Sequence, residues 1–438
     1  MLDTFANMFR IPELRKKILI TLGILVVYRL GCLLPVPGVD IAKLADLFKQ
    51  LASDPLGKML GFAAVLSGGA LSKSTIFCLG IMPYISATII FQLLTGVVPA
   101  LERLRKEGES GLKKIRQYER YTTFMLCIFQ GVIYVQWLTS RGIIDTHWST
   151  RATAVIVMAA GTMILMWLGD QITRRGIGNG ISMIIFAGIV ARIPGALWSL
   201  VTLIQQRTLN PVFVLLVLAL WVVVIGLVIM EQQGQRKIPV HYAKRVVGRR
   251  MYGAQNTYLP FKVNPSGVIP VIFASSILLF PVQIAQSLGS QIAWLSRFAS
   301  WLRPNGFPYE VAYALLIIFF AYFYTQVTLN PVEISRHIRE NGGSIPGIRS
   351  EKMEEYLSRI LYRIILPGSL FLAFIAIIPS LVQSLFNFPQ AVAYLMGGTS
   401  LLILVGVDLD TMSQIEGYLR MHHHDGIVKR GKIRSRNL

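Results

Sequence analysis

The sequence predicts an all-α, polytopic membrane protein of ten transmembrane helices in two pseudo-symmetric, inverted five-helix halves. Its composition is 53% hydrophobic and only 15% charged, and long apolar stretches alternate with polar gaps. Ten such stretches occur, near residues 18–34, 75–96, 121–138, 153–172, 181–198, 212–230, 267–285, 311–328, 362–382 and 391–408. Most of them have about the length with which a helix crosses a bilayer core of ~30 Å.

The positive charge is concentrated in every second gap between these stretches. Of the 43 Lys and Arg residues, 31 lie in the first segment, the tail and alternate loops between them. Cytoplasmic loops of membrane proteins carry such an excess of Lys and Arg. The pattern therefore predicts that both termini lie in the cytoplasm.

The first half, residues 1–205, holds five stretches and a long external segment, 35–74. Within this segment a short apolar piece, 56–66, ends just before Gly68 and Gly69. The piece is too short to span a bilayer, so it predicts a half-helix that enters a cavity within the protein. An external helix at the membrane interface is the alternative.

The second half, residues 206–410, holds the other five stretches, and a basic tail, 411–438, follows it. An odd number of spans per half gives the halves opposite orientations, and inverted repeats of this kind enclose a path near the midplane. The second half also has a long loop after its first span, 231–266, which lies inside. We expect the end of the tail, 420–438, to be flexible.

The polar residues deep in the stretches are uncharged, which argues against the ion relay of a pump or coupled transporter. They lie on the second, third and seventh stretches, where they could line a seam that opens. A chance distribution explains them about as well. These residues are Ser86, Thr88, Gln92, Gln130, Ser275 and Ser276.

Isoleucine pairs lie one helical turn apart in two stretches, Ile81 with Ile85 and Ile181 with Ile185, and Ile272 follows a proline after one residue. Such side chains usually face lipid or pack in a core. A ring of aliphatic side chains can also close a channel by excluding water. Such a ring could widen around a bulky object without binding it specifically.

Two cytoplasmic loops carry more than topology requires. Residues 232–266 hold seven basic and no acidic residues, which favours an anionic partner such as RNA, lipid head groups or an acidic protein surface. Alternate apolar residues between Ile238 and Tyr242 predict a strand of a hairpin. The loop 329–361 mixes both signs of charge, which suits contact with protein, and its glycine-rich turn could present Arg349 at a tip.

The sequence carries weak signals of catalysis. The nearest pattern to a phosphate-binding loop, 68–74, lacks the glycine before its lysine, and we find no nucleophile elbow and no metalloprotease motif. Three cysteines in or beside apolar stretches and three consecutive histidines in the tail predict neither a disulfide framework nor a metal site. We therefore expect no enzyme activity, no cofactor and no metal, and a partner must supply the energy.

Several motifs occur in the order found in the SecY family of protein-translocation channel subunits, which the chain resembles over nearly its whole length. They lie at residues 35–40, 67–72, 79–86, 106–111, 178–182, 242–245, 267–270, 332, 346–349 and 397–403. The resemblance implies a channel that translocates unfolded secretory polypeptides across the cell (inner) membrane. It also implies that transmembrane segments leave this channel laterally into lipid.

The resemblance further implies roles for single residues. A hydrophobic pore ring would comprise Ile81, Ile85, Ile181, Ile185, Ile272 and Ile403. The segment near 57–70 would be the plug, including Leu60, Phe62, Val65, Leu66, Ser67, Gly68 and Gly69. The lateral gate would be lined by Ser86, Gln92, Gln130 and Ser275. Partner docking would involve Lys244, Arg245, Arg249, Arg250 and Arg349.

The partners that the resemblance implies are SecE, SecG, the motor ATPase SecA, the ribosome, signal sequences with nascent chains, and membrane lipids. Two other classes of function share part of the pattern. A solute transporter with inverted repeats would need a midplane charge or a substrate-coordinating break, and neither is evident. An insertase or lipid scramblase would need a hydrophilic groove that faces lipid.

Overall fold

The computed structural model describes residues 11–51, 67–206, 211–242, 245–247, 250–252, 256–288, 306–386 and 398–430. Within these ranges the chain is mainly helical, with two small antiparallel sheets. The helices are α1 (Pro12–Gly31), α2 (Ile41–Leu51), α3 (Met82–Val97), α4 (Pro99–Lys106), α5 (Glu109–Ser140), α6 (Trp148–Arg175), α7 (Gly180–Val190), α8 (Ile193–Gln205), α9 (Pro211–Gln233), α10 (Ile269–Leu288), α11 (Phe307–Thr328), α12 (Pro331–Glu340), α13 (Met353–Phe386) and α14 (Gly398–Arg430). The strands are β1 (Gln235–Tyr242), β2 (Arg245–Val247), β3 (Arg250–Tyr252), β4 (Asn256–Lys262) and β5 (Gly343–Ser344).

Six helical segments in the described part of the chain are long and apolar enough to cross a membrane, as judged by length and composition. They are Glu109–Ser140, Trp148–Arg175, Gly180–Gln205, Pro211–Gln233, Phe307–Glu340 and Ser350–Val382. A seventh is counted if α3 and α4, which are bent by 96° at their break, act as one span. These segments coincide with seven of the predicted stretches. A mainly helical, multi-pass membrane protein is therefore confirmed, whereas the full set of ten spans stays a prediction.

The chain divides into two compact units, and neither is continuous in sequence. Unit 1 comprises Met1–Ala87, Gln117–Leu197 and Ile403–Leu438, and unit 2 comprises Thr88–Arg116 and Trp198–Leu402. Helices α1, α6 and α7 pack together in unit 1, and α10, α11 and α13 pack together in unit 2. The predicted halves, with their boundary at residue 205, stay a prediction.

In unit 1 the residues just before α3 pack between α1 and α6. A side chain at Gly161 would place its Cβ 1.9 Å from the carbonyl oxygen of Ile76, so α6 approaches closely only because this residue is glycine. The ring of Tyr28 stacks on that of Phe77 with centroids 6.0 Å apart. The second predicted stretch is consequently not helical from its start, because 75–81 forms turns and the helix begins at Met82.

The external segment contains a helix, α2, that the apolar pattern did not predict. Asp40 precedes it and accepts hydrogen bonds from the backbone amides of Ala42 at 3.1 Å and Lys43 at 3.2 Å. The bond from the Lys43 amide holds the pKa of Asp40 below its usual value. Leu44 of α2 is buried in a cluster with Leu138 of α5, so the segment folds onto the helices of unit 1. The half-helix predicted at 56–66 lies outside the described residues.

The fifth predicted span, which corresponds to Gly180–Gln205, is interrupted by two non-helical residues. Helix α7 ends at Val190 and α8 begins at Ile193, with Arg192 in the break. Pro194 has no amide hydrogen to donate to the preceding turn, and its ring restricts the residue before it. The sequence therefore contained the cause of the break, although the hydropathy pattern did not register it.

The expectation of a flexible tail is wrong for residues 420–430, where α14 continues to Arg430. No proline occurs between Gly398 and Arg430, so nothing of that kind interrupts the backbone hydrogen bonds of the helix. The tenth predicted stretch begins at residue 391. Residues 391–397 lie outside the described part of the chain, and the described helix begins at Gly398.

In unit 2 a small sheet joins the loops 231–266 and 329–361. Strand β1 pairs antiparallel with β4 over seven residue pairs, beginning with Gln235 opposite Lys262, which confirms the predicted hairpin strand. The other edge of β1 pairs with β5, with Tyr242 opposite Gly343. The sequence did not predict that the loops 231–266 and 329–361 share one sheet.

One hydrophobic cluster holds this sheet against the helices of unit 2. Ile238 and Val240 of β1 are buried with Ile338 of α12 and with Met353 and Leu357 of α13. Burial of such side chains contributes about 1.5–3 kcal/mol each relative to exposure. The two loops therefore form one packed platform, which we call the loop platform.

Candidate functional site

The six isoleucines of the predicted ring lie in or next to four helices. Ile81 directly precedes α3, which contains Ile85, and Ile181 and Ile185 lie in α7. Ile272 lies in α10 and Ile403 in α14. Ile81, Ile85, Ile185 and Ile403 are buried, and Ile181 and Ile272 are partly buried. Isoleucines at other positions in apolar helices are more exposed, such as Ile90 of α3 at 39% and Ile156 of α6 at 67%, so the six are among the more shielded isoleucines of the chain.

The glycine-rich motif at 178–182 fixes where α7 begins. The Asn179 side chain accepts a hydrogen bond from the Ile181 amide at 3.1 Å, which caps the helix. The Gly178 amide donates to Gln414 Oε1 of α14 at 2.9 Å. A Cβ at Gly180 would lie 1.9 Å from the carbonyl oxygen of Gly169. The motif therefore positions Ile181 and Ile185, because Asn179 caps α7 and Gly180 allows α7 to approach α6 closely.

The described end of the predicted plug is the turn Ser67–Gly69, which we call the glycine turn. Gly68 and Gly69 have φ values of +63° and +90°, and residues other than glycine rarely adopt this backbone conformation. The Tyr28 hydroxyl donates to the Ser67 carbonyl at 3.4 Å, and Arg29 Nη1 donates to the Gly68 carbonyl at 3.1 Å. The remaining predicted plug residues, Leu60, Phe62, Val65 and Leu66, lie outside the described part of the chain.

The predicted gate residues differ in how their polar atoms are used. Ser275 and its neighbour Ser276 both donate to the Ile272 carbonyl, at 2.9 and 2.8 Å. A hydroxyl has only one hydrogen to donate, so neither serine has a hydrogen left to donate to another helix. Both carbonyl-directed bonds lie within α10 itself.

On α3 the polar atoms are less satisfied. Gln92 Oε1 and Thr88 Oγ1, one helical turn apart, are buried without a hydrogen-bond partner among the described residues. Ser86 of α3 and Gln130 of α5 are partly buried. A buried acceptor without a donor costs free energy, so Gln92 is a position where a different arrangement of helices would gain a bond.

The loop platform presents cations at its surface. Lys237 of β1 and Lys262 of β4 are exposed, and neither forms a salt bridge in the portion of the chain described. In contrast, Arg336 and Arg359 in the second loop are paired with Glu340 and Glu355. The first loop thus carries unneutralised positive charge, as its composition predicted, whereas the second loop neutralises part of its own.

Arg349 is exposed at the start of a short 3-10 helix, Ser350–Lys352, and has no salt-bridge partner among the residues described. Gly347, two residues earlier, has a φ of +81°, which shapes the turn before it. Arg245 lies in β2 and Arg250 in β3. Lys244 and Arg249, the other predicted docking residues, fall outside the described residues.

Sequence reasoning missed three anchoring residues. It assigned no role to Tyr28, Arg29 or Tyr134. Tyr134 is buried, and its hydroxyl donates to the Leu71 carbonyl at 3.2 Å. A tyrosine or arginine inside an apolar stretch brings a polar atom that needs a partner when buried, and that was the available signal.

Comparisons with known proteins agree with this arrangement. A family model described as SecY matches residues 75–412. A SecY protein translocase subunit of Streptomyces galbus is 46% identical over 98% of this chain and 100% of its own length. The corresponding subunit of Escherichia coli K12 is 43% identical over 96% of this chain and 95% of its own.

Solved structures show the same fold. A protein-conducting channel superposes with a TM-score of 0.62 at 20% identity, covering 92% of this chain and 91% of that one. Sec61 in the canine ribosome-channel complex superposes with a TM-score of 0.61 at 19% identity, with the same coverage.

Proposed function

The chain belongs to the SecY family and is a protein-translocation channel, and we propose that it conducts unfolded secretory polypeptides across the cytoplasmic membrane and releases transmembrane segments sideways into lipid. The observation that carries the proposal is similarity to named translocase subunits over almost the entire chain. Similarity of that extent includes the spans, the loops and both ends of the predicted path. We infer that the chain itself catalyses no reaction and that partners supply the energy.

We propose ten spans in two inverted halves, 1–205 and 206–410, with the tail 411–438 and both termini in the cytoplasm. Six apolar spans, or seven if α3 and α4 act as one, and the charge bias of the loops support this arrangement. Three further helices, α1, α10 and α14, correspond to the remaining stretches. Helices α1 and α10 each have 20 residues, and at 1.5 Å per residue each is about 30 Å long, which suffices for a bilayer core.

The proposed pore ring consists of the six isoleucines described above. Their burial supports the proposal, because a side chain that lines a constriction is shielded from lipid. A narrow ring of aliphatic side chains excludes water and so blocks hydrated ions. It can widen around a polypeptide of any sequence, because it offers no hydrogen bond that would favour one side chain over another.

The proposed lateral gate opens when a signal sequence competes with the contacts that hold the gate shut. An apolar helix gains roughly 0.3–0.6 kcal/mol per Leu-like residue on entering the membrane. A hydrogen bond between membrane helices contributes on average about 0.6 kcal/mol. The free energy gained by ten apolar residues thus exceeds that of several such bonds. The Gln92 oxygen, which has no hydrogen-bond partner among the described residues, supports a closed seam whose bonding is incomplete.

The proposed docking surface comprises the loop platform and the predicted docking residues of the two loops, of which Arg349 is exposed. A solved relative is a channel in a ribosome complex, which supports ribosome binding by this chain. Family membership supports SecE and SecG as partner subunits and SecA as the motor ATPase. A partner that binds the open channel more tightly than the closed one shifts the equilibrium toward opening.

A reconstitution experiment tests the function. The chain, its co-purified subunits and the motor ATPase are placed in liposomes, and a radiolabelled secretory precursor is added with ATP. We expect the precursor to become protected from external protease only with ATP and motor present. Accumulation of small solutes without precursor protection would instead indicate a solute transporter.

A crosslinking experiment separates a channel from an insertase that lacks a pore. Photoreactive groups are placed at Ser86 of α3 and Ser275 of α10, and a precursor is stalled during transport. A channel surrounds its client, so we expect both positions to crosslink to the same stalled segment. Crosslinks from one position only would contradict passage through a central path.

A further inference from the structure

The glycine turn is bonded to one helix end through charged and polar side chains. Tyr28 and Arg29, in the last turn of α1, donate to the consecutive carbonyls of Ser67 and Gly68. A hydrogen bond from a guanidinium is stronger than one between neutral groups. Arg29 is therefore the principal polar contact that holds this turn in place.

The turn also fits closely against α7. A Cβ built on Gly68 would lie 2.8 Å from the Cα of Gly188 and 2.8 Å from the Tyr28 hydroxyl. Backbone lies against backbone at this point, and no side chain separates the two segments. The docked position consequently has a defined geometry that a small displacement of the turn would break.

Arg192 lies on the other side of the turn and gains less from it. Its Nε would be 3.8 Å from a Cβ on Gly69, and its Nη1 is buried without a hydrogen-bond partner in the described residues. Arg29 and Arg192 carry like charges beside consecutive glycines of the turn, so they repel each other, and neither forms a salt bridge to any acid that the structure describes. A partly buried guanidinium with one buried, unsatisfied donor costs free energy.

We propose that Arg29 and Arg192 act in opposite directions on the glycine turn: Arg29 holds it docked, and Arg192 favours its release. Undocking of the turn returns water to Arg192 and to the space between the two cations, so it relieves both the unsatisfied donor and the repulsion. Undocking also breaks the bond from Arg29. The opposing effects of the two arginines determine how easily the turn undocks.

The inference rests on the proposed function in one respect, since the turn ends the segment proposed as the plug. A turn held by Arg29 alone would keep the path closed against a polypeptide. Because Arg192 opposes docking, the docked state is only slightly more stable than the undocked state. A client can therefore displace the turn. Both residues are thus positioning residues for channel opening.

Hydrogen–deuterium exchange of the fragment 67–75 in the reconstituted complex tests the balance. Arg29→Met removes the bond, so we expect exchange about tenfold faster, since 1.4 kcal/mol corresponds to a factor of ten. Arg192→Met removes the unsatisfied charge, so we expect exchange several-fold slower than in the unmodified chain. Arg29→Lys keeps a charged donor and is expected to restore part of the protection.

Arg141→Met is the matched control, because Arg141 is an exposed arginine of unit 1 and its loss should leave exchange in 67–75 unchanged. Acceleration by both Arg29→Met and Arg192→Met would show that each merely supports the structure, and it would overturn the inference. Equal exchange in all variants would also overturn it. If Arg29→Met fails to fold, slower exchange in Arg192→Met decides in favour and unchanged or faster exchange decides against.

Ion conductance of the same variants in planar bilayers separates this inference from the proposed function. We expect Arg29→Met to raise conductance and Arg192→Met to lower the rate of precursor transport. If exchange changes in the expected opposite directions while conductance and transport stay constant, the two arginines do control the turn. In that case the role of the segment as a plug is wrong.

Discussion

The phenol oxygen of Tyr134 lies 2.6 Å from Ser74 Oγ, and the same hydroxyl donates to the Leu71 carbonyl at 3.2 Å. The two bonds fasten a short 3-10 turn, Leu71–Lys73, to α5. This turn follows the glycine turn directly, so the chain leaving it is anchored at a second point. Both tyrosine bonds are buried, which makes them expensive to leave unmade.

We expect Tyr134→Phe to destabilise unit 1 by about 1–3 kcal/mol, because the Ser74 hydroxyl and the Leu71 carbonyl would each lose a buried partner. Thermal unfolding of the detergent-solubilised complex measures the effect. Tyr121→Phe on the same helix is the control, since Tyr121 is 64% exposed. Equal midpoints for the two variants would contradict an anchoring role for Tyr134.

We expect Ile85→Asn and Ile185→Gly to raise ion conductance through closed channels in planar bilayers. A polar or missing side chain lets water enter a constriction that aliphatic groups keep dry. The control is Ile156→Asn, which places the same amide at an exposed position of α6. Conductance equal to that of the control would count against the proposed ring.

We expect Arg349→Glu to impair ATP-driven translocation strongly while the chain stays folded. The arginine is exposed and has no salt-bridge partner among the described residues, so a reversed charge would repel an acidic partner surface without breaking a described ion pair. Lys352→Glu, with the same charge change three residues away in the same loop, should have a smaller effect. Full activity of Arg349→Glu would remove this residue from the docking surface.

We expect Met353→Ala to loosen the loop platform. Met353 is fully buried between the sheet and α12, and a truncation of this kind in a core costs about 2–5 kcal/mol. Limited proteolysis of the β1–β4 hairpin should proceed faster than in the unmodified chain. Val332→Ala on the exposed surface of α12 is the comparison, and similar cleavage rates for both would argue that the two loops are independent.

Much of the architecture could be predicted from local composition. Apolar length predicted the membrane spans, and the alternation around Ile238 predicted a strand that is indeed paired in a hairpin. The break at Arg192 was missed, because a hydropathy window averages over the proline two residues later. The first part of the tail was misjudged for a related reason: basic composition says little about whether a preceding helix continues.

The site residues divide in the same way. Ile81 and Ile85 could be proposed because aliphatic spacing is visible in the sequence. Ser275 was proposed to line the lateral gate, and its hydroxyl donates to the Ile272 carbonyl of its own helix, which any serine in a helix can do and which spacing cannot exclude. Polar type and depth therefore indicated candidates without revealing their partners.

The sequence by itself determined that this chain crosses a membrane several times and which loops carry the positive charge, because transfer of a helix into lipid and the bias of its flanking cations depend on residues that are neighbours along the chain. Only the tertiary structure decided that β5 completes the sheet begun by β1, and that Arg29 meets the carbonyl of Gly68. Those contacts join residues far apart in sequence, and their free energy depends on the distances and solvent exclusion that folding creates.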